Sequence, residues 1–150
     1  MPETTSLAGT LALLKARAAE QITMLPLYWR EDGPVILPDE PAPFVYFELE
    51  ARRGRLVAFG AGRGNNLYRN PSELRAYVFT PRNVGLETAP NYAEAVAAAF
   101  RSFRSGGVSC FDATLFPAAS ASDFPDQASS AAGNYTCVMV IVSLTYDQIG

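Results

Sequence analysis

A glycine-rich run between two strand-like segments is the feature of this sequence best suited to holding a ligand. Gly60, Gly62 and Gly64 follow the segment Arg55–Phe59 and precede Leu74–Thr80. Closely spaced glycines after a strand are typical of loops that bind phosphate through backbone amides. Here no Gly-Lys-Ser/Thr follows, the G-x-G-x-x-G spacing is absent, and the next element is predicted to be a strand rather than a helix. We therefore expect no nucleotide or other cofactor at this loop.

Few side chains of this chain are suited to catalysis. There is no histidine, so an imidazole base and Ser-His or Cys-His pairs are excluded, and the single lysine, Lys15, lies in a predicted helix. The carboxylate pairs at 31–32 and 39–40 lie in predicted loops. Glu48 and Glu50 share one face of a predicted strand, where solvated or interface charge is the better interpretation. We expect no catalytic residue.

The two cysteines, Cys110 and Cys137, lie within apolar, strand-like runs. In that setting a cysteine behaves as a small buried hydrophobic residue. Two cysteines without histidine do not make a zinc site, and the sequence leaves open whether they form a disulfide. We expect no metal site.

Basic and acidic residues are separated along the chain, although the net charge is only −3. Residues 1–51 carry three basic and eight acidic groups, 52–104 carry nine arginines and three glutamates, and 105–150 carry four aspartates. Seven of the arginines lie between 52 and 82, with Tyr68 and Tyr77 among them, so a nucleic-acid-binding module stays open as an alternative. A pI near 4.9 is unfavourable for binding that depends on counterion release. Arginine also suits planar contacts at protein interfaces, and a coding bias toward Arg, Ala and Gly would produce the same excess.

We interpret the polar connection between the two strand-like segments as a protein-contacting loop over residues 60–73, since it is too long for a tight turn and too polar for a core. The candidate interface residues in and beside it are Arg52, Arg53, Arg55, Arg63, Asn65, Asn66, Tyr68 and Arg69.

Hydrophobic periodicity predicts the elements that position this loop. Residues 5–23 and 91–105 have apolar stripes at three- and four-residue steps, so both are predicted helices, the second with a capping box at Asn91 and Glu94 and a stop at Gly106-Gly107. Strands are predicted at 44–50, 56–59, 74–80, 108–116 and 134–146, and the last alternates strictly from Val138 to Tyr146.

Two further segments complete the chain. The proline-rich segment 25–43 is predicted to wrap the domain, anchored by Tyr28 and Trp29, and the Ala/Ser-rich segment 117–133 is predicted to be a long mobile loop. The fold class is α+β: one domain over residues 1–150, with two helices packed on a mostly antiparallel sheet and a long inter-strand loop. No apolar run is long enough to span a bilayer and the first residues do not have a signal-peptide pattern, so we expect a cytoplasmic protein without a membrane partner.

The order of these parts is similar to that of a known family. An N-terminal helix leads to Leu27-Tyr28-Trp29 and Pro43-Phe44-Val45-Tyr46-Phe47-Glu48, followed by the Gly/Arg loop and a strand ending Tyr77-Val78-Phe79-Thr80-Pro81. A helix ending in Phe-Arg and a last strand introduced by Gly133-Asn134-Tyr135 complete the order. Over most of residues 5–147 this resembles the tail terminator proteins of long-tailed phages and of phage-derived gene transfer agents.

The resemblance implies a structural virion protein without enzymatic activity. Such proteins form rings, usually of six subunits, that cap the tail tube, stop its polymerisation and present a face to the head–tail connector protein. It implies three partners, namely further copies of the chain, the tail tube protein and the connector, with DNA passing through the bore without specific binding. A closed ring uses head-to-tail contacts between two different patches, for which the arginine-rich middle and the acidic outer segments are candidates. A different connector or tube subunit is the neighbouring alternative.

Overall fold

One curled sheet organises the chain. The computed structural model describes residues 3–52, 54–58, 64–82, 87–119, 124–131 and 133–150. The elements in these ranges are α1 (Leu7–Gln21), β1 (Leu27–Trp29), a 3-10 turn (Arg30–Asp32), β2 (Phe44–Ala51), β3 (Arg55–Ala58), β4 (Leu67–Pro81), α2 (Thr88–Phe100), β5 (Arg104–Ser105), β6 (Val108–Ala119), a second 3-10 segment (Asp126–Ala131) and β7 (Tyr135–Ile149).

The strands of the described ranges lie in the order β1-β2-β4-β7-β6-β5, with β3 beside β4 beyond the end of β2. All neighbours are antiparallel except β1 and β2, which are parallel. The predicted α+β class with a mostly antiparallel sheet is therefore confirmed. None of the helices in these ranges is long and apolar enough to cross a membrane.

Both helices pack on one face of the sheet, which we call the helix face. Ser6 caps α1 by accepting a hydrogen bond from the Gly9 N–H at 3.0 Å. Alternate residues of the central strands point to this face, so every second side chain of β7 from Val138 to Tyr146 is buried. The main core lies here, and its fully buried members include Leu14, Phe47, Val78, Val96, Phe100 and Val140.

A second, smaller core covers one end of the opposite face. Phe44 and Phe79 stack there with ring centroids 4.7 Å apart, and Phe124 meets Phe79 edge-on at 4.9 Å. Ala128 and Ala131 from the second 3-10 segment are fully buried against the same cluster. The prediction of a mobile loop over 117–133 is therefore wrong for 117–119, which continue β6, and for 124–131. Small side chains allow the 3-10 segment to lie close to the aromatic rings.

Strand β4 is much longer than predicted. It begins at Leu67 and pairs with β7 along its whole length, so residues 67–73 belong to the sheet and not to the expected 60–73 loop. Pro71 is tolerated inside this strand because the outer neighbour changes there. Pairing with β2 ends at Ser72 and pairing with β3 begins at Arg69, so Pro71 lies between the two outer strands. Its carbonyl accepts from the Arg52 N–H at 3.0 Å, and the missing N–H leaves only the return bond to Arg52 unmade.

The second helix begins and ends earlier in the chain than the predicted range of 91–105. It spans Thr88–Phe100, Glu87 precedes it without a side-chain cap, and Asn91 lies in its first turn, so the predicted capping box is wrong. Pro90 fits the first turn because N–H groups there have no partner within the helix. Gly106 and Gly107, at φ +54° and +88°, form the β5–β6 turn rather than the end of the helix.

The two cysteines lie on opposite faces of the sheet. Cys110 belongs to the main core and Cys137 to the second core, and both are free. They cannot form a disulfide with each other, because the sheet separates them. Burial raises the pKa of Cys110 to about 11 and that of Cys137 to about 12. Their prediction as small buried residues is confirmed.

Candidate protein interface on the open face

We call one part of the sheet surface the open face. It faces away from the helices and is not covered by the second core. It is built from the second half of β2, the first half of β4, β3, the last half of β7 and the adjoining part of β6. Side chains alternate along these strands, so a set of half-buried and exposed residues shares this surface: Glu48, Glu50, Arg69, Glu73, Arg75, Thr114, Phe116, Ile141, Ser143, Thr145 and Asp147.

The 3-10 turn after β1 places Arg30 beside two glutamates of β2. Its Nη2 lies 2.6 Å from Glu50 Oε1 and 3.0 Å from Glu48 Oε2. The hydrogen bond from Arg30 lowers the pKa of Glu50, and the same bond raises the pKa of Arg30. Only 12% of the Glu48 side chain is exposed, so this carboxylate is less solvated than the sequence suggested. One guanidinium therefore bridges two neighbouring carboxylates of the strand and offsets one of their two charges.

A second charge group continues this row on β4. Glu50 lies directly opposite Glu73 in the β2–β4 register, a like-charge pair that would be destabilising by itself. Glu73 is bound by Arg52, and its other oxygen lies 3.3 Å from Arg75 Nη2. Arg30, Arg52 and Arg75 thus balance the charge of Glu48, Glu50 and Glu73, and the group has no net charge.

The third group lies where β3 joins the sheet. Arg69 binds Asp147 of β7 through two hydrogen bonds, of 2.8 Å from Nε and 3.0 Å from Nη2, which raise the pKa of Arg69. Arg55 lies directly opposite Arg69 in the β3–β4 register. Arg55 makes no ion pair within the described part of the chain. A shallow cleft of about 270 Å³ opens between these two arginines, Pro71 and Thr145.

The structure brings together three of the eight predicted interface residues. Arg52, Arg55 and Arg69 share the open face, whereas Tyr68, the neighbour of Arg69 along β4, points to the other side. Asn66 exchanges two backbone hydrogen bonds with Gly150, at 2.9 and 3.0 Å, and Asn65 beside it is exposed. Arg53 and Arg63, and residues 60–63 of the predicted loop, lie outside the described residues.

Arg52 and Arg69 are each engaged by a carboxylate of their own chain, and both side chains remain more than half exposed on the open face. The acidic and arginine-rich segments compensate one another within one molecule at Arg69 and Asp147. Sequence reasoning missed Arg30, Glu73, Arg75 and Asp147 as members of this surface. The two-residue spacing of Glu48 with Glu50 and of Glu73 with Arg75 was the available signal.

No group of three His, Cys, Asp or Glu side chains in the described ranges is arranged to hold a metal ion. The arrangement on the open face is instead one of fixed charges on rigid strands, bordered by the exposed aromatic ring of Phe116. Such a surface can recognise a complementary charge pattern on another macromolecule.

Comparisons with known proteins define the fold alone. No family model matches the chain, and no curated protein matches it. Several solved structures are similar. One of them, a protein without a descriptive name, shares 15% identity over 91% of this chain and 94% of its own, with a TM-score of 0.54. The same arrangement of elements therefore extends over nearly the full length of both chains.

Proposed function

We propose that this protein is a tail terminator of a long-tailed phage or gene transfer agent. In this role it is a non-enzymatic virion protein that forms a ring on the tail tube, stops tube polymerisation and provides a face for the head–tail connector. The observation that carries the proposal is the open face: a rigid, charge-patterned sheet surface that both helices leave uncovered. The order of aromatic, proline and glycine motifs along the chain supports it.

The open face suits a structural role in two ways. Its charges are held by cross-strand ion pairs, such as Arg69 with Asp147, so the pattern is ordered before a partner arrives. Ordered charges contribute register and association rate more than affinity, which is what the addition of a ring in a single orientation requires.

A nucleic-acid-binding module is the less favoured alternative. Affinity for nucleic acid depends on basic groups that are free to neutralise phosphates. On the open face Arg30, Arg52, Arg69 and Arg75 are each paired with a carboxylate, and only Arg55 of the described residues there is not. The surface therefore resembles a protein-binding face more than a phosphate-binding one.

The experiment is to purify the chain at neutral pH and measure its mass by mass photometry, alone and with the tail tube protein. A ring-sized assembly, visible as an annulus by negative-stain electron microscopy, is the expected result. Addition of the chain to polymerising tube protein should also shorten the tubes. A strict monomer that neither binds the tube protein nor changes tube length would refute the proposal.

A further inference from the structure

We propose that copies of this chain associate head to tail through two opposite edges of the sheet, with the Arg55 cleft of one copy receiving Asp112 of the next. This inference rests on the proposed ring-forming function and assigns the surfaces that would build the ring. The occupant we commit to is a second copy of the chain, and the argument is charge and apolar complementarity between the two edges.

The first edge is β3. Past the end of β2, this short strand is the outermost one on that side of the sheet. Among the described strands it pairs with β4 alone. It carries Arg55 on the open face and Leu56, 42% exposed, on the other. Arg55 stands across from Arg69, whose charge is already offset by Asp147. The cleft between the two arginines therefore has one unbalanced positive charge, which an incoming carboxylate would neutralise.

The second edge is the bulge of β6. The β6–β7 register shifts between Cys110 and Ala113, which leaves Phe111 and Asp112 outside the β6–β7 ladder. On the outer side the Phe111 carbonyl accepts from the Ser102 N–H at 3.4 Å, next to the short strand β5. Phe111 is 47% exposed, and Asp112 is exposed and has no partner among the described residues. A bulge at a sheet edge redirects side chains outward. This edge therefore presents an apolar ring and a free carboxylate at adjacent positions of the strand, as β3 presents an apolar side chain and a free guanidinium at adjacent positions.

The rest of the β6 edge is protected, which confines the contact to the bulge. Arg101 donates from Nη2 to the Ala113 carbonyl at 3.1 Å, a second register shift lies between Phe116 and Ala119, and Pro117 lacks an N–H. Such devices prevent strand addition along an edge. We therefore infer an association made by side chains and not an extension of the hydrogen-bonded ladder.

Strand directions are compatible with this packing. β3 and β7 both run antiparallel to β4, and β6 runs antiparallel to β7, so β3 and β6 run in opposite directions at the two edges. Two copies placed side by side with their open faces on the same side bring these edges together as antiparallel neighbours. Because the two patches differ, the contact is heterologous and continues from copy to copy until a ring closes.

Charge reversal tests the contact. We would prepare Arg55→Glu, Asp112→Arg and the double variant R55E/D112R, with Arg82→Glu and Asp126→Arg as matched controls at exposed residues that have no ion pair in the described ranges. Circular dichroism and thermal melting check that each variant folds. Mass photometry across a concentration series, with and without the tube protein, then gives the concentration at which half of the chains are assembled.

Each single reversal at the contact should raise that concentration at least about tenfold, equivalent to about 1.4 kcal/mol, because it replaces attraction by repulsion. The double variant should return to within about threefold of wild type, and the controls should not change it. An equimolar mixture of the two single variants should also assemble, in rings with an even number of subunits. In such rings every contact again joins opposite charges.

The outcomes separate the two proposals. If wild type forms rings and the single reversals assemble equally well, or if the double variant and the mixture both fail to recover, the edge assignment is wrong and the terminator function stands. If the reversals behave as expected but the rings do not shorten tail tubes, the edge contact stands and the terminator function is refuted. Recovery of the mixture as a dimer rather than a ring would refute the head-to-tail arrangement.

Discussion

Replacing Phe124 by alanine tests whether segment 124–131 is part of the folded core. The side chain is 9% exposed and its ring lies 4.9 Å from that of Phe79 in an edge-on arrangement. Burying an aromatic side chain of this size contributes about 3 kcal/mol, and the aromatic pair adds about 1 kcal/mol. The segment can relax into part of the vacated space, so we expect a loss of about 3 kcal/mol, at the lower end of the range for Phe→Ala in a core.

The assay is equilibrium unfolding in urea followed by the fluorescence of Trp29. This is the only tryptophan, it is 5% exposed, and it stacks on Phe47 at 4.4 Å, so its emission reports unfolding of the main core. A loss of about 3 kcal/mol corresponds to a melting temperature about 6–12 °C lower for a chain of this length. The matched control is Phe111→Ala, whose ring is 47% exposed and which should change stability by less than about 1 kcal/mol.

Hydrogen exchange gives an independent measure of the same packing. The Val35 amide donates to the Gln127 carbonyl at 2.8 Å, so its protection depends on segment 124–131 being docked. Phe124→Ala should increase the exchange rate of this amide while Phe111→Ala does not. A stability loss below about 1 kcal/mol together with unchanged protection of Val35 would refute the reasoning.

Two further predictions concern charge and protonation. Arg30→Met should lower the unfolding free energy by about 1 kcal/mol at pH 7, because it leaves two adjacent glutamates without their shared partner at a half-exposed site. The pKa of Glu50 is lowered in the folded state, so the stability it contributes is present above its unfolded value near 4.3 and is lost as the pH falls through the folded value. The Arg30→Met penalty, measured by urea unfolding, should therefore shrink toward zero near pH 3, whereas Arg82→Met should have little effect at either pH. The buried thiols make stability depend on pH in the opposite sense to Glu50. The pKa of Cys110 is raised to about 11 and that of Cys137 to about 12 in the folded state. Their contribution to stability is therefore complete below about pH 8.5 and is lost as the pH rises toward the folded values. The unfolding free energy should accordingly decline above pH 8.5, and the decline should be shallower in Cys137→Ala. A thiol reagent at pH 8 should react with the native protein far more slowly than with the urea-unfolded chain. Rapid reaction with the native protein would contradict the burial of both side chains.

Local patterns were sufficient to predict most of the elements. The strict alternation from Val138 to Tyr146 identified β7, because a strand with one buried face must place apolar residues at every second position. The apolar stripe of α1 identified that helix for the same kind of reason. These features depend on residues a few positions apart.

Element ends were predicted less well where a distant strand decides them. The segment from Tyr68 to Glu73 reads as a polar turn because it contains Asn70-Pro71-Ser72, yet pairing with β7 holds it in the sheet. Asn91 and Glu94 have the spacing of a capping box, but the helix had already begun at Thr88. In both cases the boundary of the element is set by long-range contacts and not by the local sequence motif.

The candidate site was found only in part. The sequence located the arginine-rich region and named Arg55, whose free guanidinium carries the further proposal, but it could not tell that Arg69 is paired with Asp147, 78 positions away. Residue types and their spacing determined by themselves the α+β class, the buried cysteines and the uneven charge. Only the tertiary structure decided which arginines are already neutralised and which remain available, because ion pairing depends on strand register across the sheet, and register is set by long-range packing that no local spacing encodes.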